Sequence, residues 1–210
     1  MKHDVPIRLR GLTVEQLLAA VGDTSPVPAG GAVAALAGAL GGALVTMAVS
    51  LGGHAVSQAE PAGLRDQAVA LQNQLAALAE ADVQAFGELI RARQLPLTDE
   101  NLAAQRSEAV QKALRDATEV PLTIVAACAD LLGVVAQAAT LSRSAALSDL
   151  AVAAWVAYAG LRGAASTARV NLRDLQNPEY RSAAEARLNQ LLKLGEAALA
   201  DALTALNQRE

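Results

Sequence analysis

Three stretches of the chain, 30–51, 121–139 and 145–165, carry few or no charges. Around them apolar residues recur at steps of three and four, the period of a helix with one buried face. The first stretch follows Ser25-Pro26-Val27-Pro28-Ala29-Gly30-Gly31. Its two prolines predict an extended approach. Its two glycines predict a backbone that comes very close to a ligand or to another segment. The helix from about Gly30 to Leu51 has no charge to turn toward water, so it should be buried on most sides.

The remaining pattern is also helical. Thr13, with Gln16 three residues on, reads as a capping box opening a short helix to about Val21, ended by Gly22-Asp23. Residues 54–60 read as a loop and 61–93 as a long amphipathic helix. Gln94 to Thr98, containing Pro96, is a turn, and Thr98 or Asp99 caps a helix to about Thr118. Pro121 should kink or restart that helix. A polar interruption runs from Thr140 to Ser144, after which Ser148 caps a helix to about Ala168. A break near Asn171 and Asn177-Pro178 precedes a last helix over 179–207. No strand pattern and no internal repeat stands out. The expectation is an all-α single domain over 1–210. It would be a bundle of about six to eight helices, long and antiparallel, around a buried Ala/Gly-rich central helix, and it would form a dimer.

Runs of about twenty apolar residues also suffice to span a bilayer. Here they are built from alanine and glycine, without an aromatic belt and without a positive flank after Leu51. Asp130 interrupts the second run. Small residues that let soluble helices approach closely, often across a subunit interface, explain the same composition, including Gly38 and Gly42. No membrane association is expected.

Composition supports helices. Aromatics are only 2% of a chain that is 53% hydrophobic, so alanine and leucine, both strong helix formers, supply the bulk. With a net charge of −4, no basic run and almost no stacking residues, nucleic-acid binding is not expected. The lone Cys128 permits no intrachain disulfide, which fits a reducing cytoplasm, and it reads as a small buried hydrophobe. His3 and His54 lack ligand spacing, so no metal site is expected. Met1 to Arg10 has no signal-peptide apolar core.

The long helix carries the clearest chemical signal. Leu71, Leu75 and Leu78 step by four and three, and the same steps reach Asp82, Ala85 and Leu89. A carboxylate thus stands where a leucine should be, with Phe86 one turn on along the same side. Burial raises the pKa of such a group toward the range useful for general acid–base work. A structural alternative is a carboxylate bonded to a helix terminus or an arginine. Ser148-Asp149 reads first as capping chemistry, Asn171 as a buried amide bracing a turn, and Asp130 as paired or interfacial. Gly30-Gly31 could offer free amides to an anion or simply permit close packing.

Taken in order, these segments resemble the cyclodeaminase/cyclohydrolase family of folate enzymes over nearly the whole chain. The resemblance runs through Leu12 to Ala20, Pro26 to Leu51, Ala81-Asp82-Val83-Gln84-Ala85-Phe86, Leu95-Pro96, Arg106 to Pro121, Ser148-Asp149-Leu150 and Val170-Asn171-Leu172. It implies a homodimer with a folate site near the subunit interface. A tetrahydrofolate derivative would be the substrate, with no tightly bound cofactor. The reaction would be hydrolysis of a methenyl bridge or ring closure with loss of ammonia. It places the catalytic acid on Asp82 and substrate-binding roles on Gly30, Gly31, Ser148, Asp149 and Asn171. This chain departs from the pattern at Ala29, Ala32, Ala151 and Thr167, and Ser142-Arg143-Ser144-Ala145 replaces an asparagine-rich stretch. Gly52 to Ser57 carries no cation where many members have a basic run, leaving Arg143 and Arg169 as candidate compensating charges. A divergent or non-catalytic small-molecule-binding dimer is the alternative these departures support.

Overall fold

A computed structural model describes residues 8–52 and 59–209. Among these residues the chain is all-helical. Six α-helices run in order: α1 (Val14–Gly22), α2 (Gly30–Gly52), α3 (Ala59–Arg93), α4 (Glu100–Leu141), α5 (Leu147–Arg173) and α6 (Pro178–Asn207), with short 3-10 turns at Leu9–Gly11 and Ser144–Ala146. His3, His54 and the cation-free segment from Gly53 to Ser57 lie outside the described residues.

Helix starts follow the expected chemistry. Thr13 and Gln16 form a complete capping box, each side chain bonded to the other's backbone N–H. Asp99 caps α4 by accepting from the Leu102 N–H, and Asn177 caps α6 with Pro178 in the first turn. Two expectations at the chain's middle are corrected. Ser148 is not a cap: α5 begins at Leu147, after the Ser144–Ala146 turn, and Ala146 occupies the cap position without a side-chain bond. Asn171 does not break its helix, which continues to Arg173.

Pro121 also fails to end its helix, and α4 is unbroken from Glu100 to Leu141. A proline removes the N–H that would bond the carbonyl four residues back, here that of Ala117. The Asn171 side chain supplies the missing donor, its Nδ2 bonding the Ala117 oxygen from the neighbouring helix. One buried amide therefore repairs the defect that Pro121 makes.

Small residues set the packing. Helix α2 runs antiparallel to both α3 and α5, its neighbours on either side. A Cβ on Gly42 would stand 3.1 Å from the Gln72 backbone Cα, and one on Gly38 would stand 2.8 Å from the Cys128 sulfur. Gly160 of α5 presses on α2 so closely that a Cβ would lie 2.6 Å from the Ala34 carbonyl oxygen. The core beneath is aliphatic, with Leu122, Ile124, Val125, Leu131, Leu132 and Val135 of α4 fully buried. Helix α6 closes the far side, and Arg209 at its end bonds the Thr140 and Ser142 carbonyls that terminate α4.

Gly30–Gly52, Glu100–Leu141 and Ser144–Arg173 are long and apolar enough to cross a membrane by length and composition. In the bundle their most apolar windows are 56%, 67% and 44% buried.

Candidate active site

The stripe on α3 places Leu75 and Leu89 in the core and, between them, Asp82 only 6% exposed. Its carboxyl group meets the first turn of α2. A Cβ on Gly31 would collide with all three carboxyl atoms of Asp82, so only glycine allows this approach. A Cβ on Gly30 would stand 4.0 Å from the Thr167 hydroxyl, an ordinary contact. The two glycines thus differ: Gly31 seats the acid, while Gly30 lines the opening. Val27-Pro28, in the segment that delivers them, is a cis peptide.

Two effects act on the acid. Burial pushes the Asp82 carboxyl up to about 6, and the Ala32 backbone N–H at the start of α2 pulls partly the other way. Desolvation dominates, and among the described residues no cation lines the cleft that the carboxylate faces. Asp82 is therefore bonded to a helix terminus, as the structural alternative has it, and also has a pKa near neutrality. It opens onto a cleft of about 210 Å³ lined by Ala29, Gly30, Gly31, Phe86, Ala117, Thr167, Val170 and Asn171.

Asn171 is buried and reaches this cleft. One of its two Nδ2 hydrogens is committed to Ala117, which leaves Oδ1 and the second N–H for a ligand. Thr167, one turn earlier on α5, bonds its hydroxyl back to the Gly163 carbonyl. Thr167 and Ala117 line the cleft although neither reads as a site residue in the sequence pattern. The helical period on α5 could have found Thr167, four residues before Asn171.

Ser148 and Asp149 do not reach this cleft within the chain. They open α5, and Asn171 lies in its last turn, about 33 Å away along the helix axis. Ser148 is exposed and Asp149 half-buried. Arg143 lies at that same remote end, while Arg169 is exposed beside Val170. Asp130 is exposed on the rim of a separate hollow between α3, α4 and α6. Cys128 is fully buried, and burial pushes its thiol up to about 12, so it acts as a packing residue.

A helical bundle that buries one carboxyl group against a glycine helix start, with a small cleft beside it, has the form of a small-molecule enzyme. Residues 13–190 match the family described as formiminotransferase-cyclodeaminase, and the chain belongs to that family. It is 34% identical over 204 residues to a methenyltetrahydrofolate cyclohydrolase from Methylorubrum extorquens, covering 94% of this chain and 93% of that protein. It is 31% identical over 206 residues to the formimidoyltransferase-cyclodeaminase of Mus musculus, covering 96% of this chain and 37% of that longer protein. The fold is also that of a formiminotetrahydrofolate cyclodeaminase from Thermotoga maritima. That match has a TM-score of 0.85 at 20% identity, over 95% of this chain and 98% of the other.

Proposed function

We propose that this chain, acting as one helical domain, is a folate one-carbon enzyme that hydrolyses the methenyl bridge of 5,10-methenyltetrahydrofolate. The observation that carries this reading is the placement of Asp82. A carboxyl group with a pKa of about 6 faces a cleft that no cation lines among the described residues. The nearly end-to-end likeness to a stand-alone cyclohydrolase favours hydrolysis over ring closure with loss of ammonia.

The chemistry asks little else of the protein. The methenyl carbon lies between N5 and N10 in a cationic amidine and is already electrophilic. Ionised Asp82 takes a proton from a water as its oxygen bonds to that carbon. The tetrahedral intermediate then breaks its bond to N5, which takes back the proton held by Asp82, while the hydroxyl proton passes to solvent and the formyl group is left on N10. The negative charge of Asp82 also favours a cationic substrate, and Asn171 Oδ1 can accept from the pterin edge. The first turn of α2, through Gly30 and Gly31, forms the wall against which the ring lies.

The same reading proposes a homodimer. Val33, Leu40 and Met47 on α2 and Val152, Trp155 and Val170 on α5 are exposed along the adjoining outer faces of these two helices. Helix α2 is about 35 Å long, so a two-helix face covers roughly 700 Å² per protomer, near the standard interface size. A two-fold axis through the middle of α2 sets two copies antiparallel. Because α5 starts beside the C-terminal half of α2, the partner's α5 start then faces the first copy's Asp82 cleft. On this arrangement Ser148 and Asp149 act across the interface. The setting proposed is the cytoplasm, with substrate as the sole folate species and no nucleic acid or membrane partner.

The test is spectroscopic. Purified protein should accelerate the loss of the near-ultraviolet absorbance of 5,10-methenyltetrahydrofolate. Growth of that chromophore from 5-formiminotetrahydrofolate instead would assign the cyclodeaminase reaction. No turnover of either compound would support the divergent binding protein.

A further inference from the structure

The cleft at Asp82 is too small for a whole folate. Its volume of about 210 Å³ falls below the usual range for sites that enclose drug-sized ligands. The pterin and the one-carbon bridge can enter, and the aminobenzoyl-glutamate arm must lie elsewhere. One direction is already built.

Along the seam of α3, α4 and α5, next to the cleft, lies a second hollow of about 450 Å³. Its lining includes Arg93, Leu97, Arg106, Val110, Leu114 and Asp174. Leu114 is one turn from Ala117 on α4, and Asp174 is one turn beyond Asn171, so the two hollows occupy successive turns of the same helix faces. The wall is held in place by Gln111. Its Nε2 donates to the Asp174 carbonyl at 3.1 Å, and its Oε1 accepts from the Gln176 N–H at 2.8 Å.

The charge in this second hollow is unbalanced. Arg93 donates to the Asp174 carboxylate at 2.9 Å, so that pair is matched. Arg106 is half-buried and has no ion pair or hydrogen bond among the described residues. A half-buried guanidinium without a partner, set among leucine and valine, suits a carboxylate whose arm is apolar.

The spacing also fits. Arg93 is about 16 Å along α3 from Asp82, and Arg106 is about 16 Å along α4 from Ala117, before either flexible side chain reaches back. From N10 to the glutamate carboxylates of a folate is about 10 Å at ordinary bond lengths. The chain offers no lysine or arginine between Gly52 and Ser57, and Arg143 lies at the other end of the bundle.

We propose that the Arg93–Arg106 hollow binds the glutamyl tail of the substrate, with Arg106 as the residue that receives its carboxylates. The aminobenzoyl ring then lies between Phe86 and Leu114, and the pterin sits at Asp82. This rests on the folate reading above and adds the source of affinity for the tail.

The experiment compares two substrates, 5,10-methenyltetrahydrofolate and the methenyl derivative of tetrahydropteroate, which lacks the glutamate. Wild-type protein should prefer the glutamyl substrate in kcat/KM. Arg106→Gln should lower kcat/KM for that substrate by roughly tenfold, mainly through KM, and erase most of the preference. Arg106→Lys should restore part of it. An unchanged preference in Arg106→Gln would overturn the assignment, and so would an equal loss on both substrates, which marks a structural role. Absence of turnover by wild-type protein on both substrates would instead overturn the hydrolysis reading, and this inference with it.

Discussion

Asp82 is in tension with its surroundings. Its carboxyl is raised from 3.8 to about 6 by burial, despite the N–H of Ala32. A folded-state pKa above the unfolded value means that the folded protein binds the proton more tightly. The stability linked to this group is present below pH 4 and is lost as pH rises through 6. Over that window the cost of holding the ionised group reaches about 3 kcal/mol. Asp82→Asn should therefore be more stable than wild type at pH 7.5, with the difference vanishing near pH 4. Urea titrations of both proteins across that range measure it. A variant that falls further below wild type as pH rises would show that the ionised carboxylate, and not its neutral form, suits the site. Instability accepted at a carboxylate beside a cleft is the usual mark of a functional residue.

At the scale of helices, Asn171 and Pro121 form one unit. Pro121 leaves the Ala117 carbonyl without its helical donor, and Asn171 supplies one from α5. Asn171→Ala orphans that buried carbonyl, which should cost about 2 kcal/mol in chemical denaturation. Restoring the helical N–H with Pro121→Ala in the same chain should recover most of the loss, a coupling that a double-mutant cycle reads directly. This pairing also shows what the sequence conceals. Capping of α1 and α4 is local chemistry, and Thr13 and Asp99 announce it, while Asn177, which reads as part of a break, caps α6. The Asp82 stripe is legible for the same reason, since its period belongs to one helix. Pro121 looks like a kink or restart and Asn171 like a break when each is read alone, because the bond that joins them links residues far apart in sequence. Ser148 misleads in the opposite way. It has the chemistry of a cap, but the Ser144–Ala146 turn starts the helix two residues earlier. The Gly31 contact was half legible: the glycines promise a close approach without naming Asp82 as the partner.

For the whole molecule, the open matter in the sequence is the placement of Ser148 and Asp149. The resemblance joins them to Asp82 in one site, while a single chain holds them a helix length apart. The proposed two-fold arrangement resolves this by pairing each Asp82 cleft with the partner's α5 start. It makes a quantitative prediction. Asp82→Asn and Asp149→Asn proteins, each inactive alone, should regain about a quarter of wild-type activity when subunits are mixed equally and allowed to exchange. Half of the dimers are then mixed, and each mixed dimer has one intact site of two. No recovery, with exchange verified by light scattering and tagged subunits, would place both residues in the same chain's site or outside it.

The central claim is that Asp82 is the proton-transfer group, and one measurement addresses it most directly. The decay of 5,10-methenyltetrahydrofolate absorbance is followed with wild-type and Asp82→Asn protein from pH 5 to pH 8.5, corrected for the uncatalysed rate. If the ionised carboxylate is the base, wild-type kcat/KM falls along an acid limb centred near pH 6. Asp82→Asn should then lose roughly a hundredfold to ten-thousandfold and show no such limb. A variant that keeps wild-type activity, or the same limb, would contradict the account.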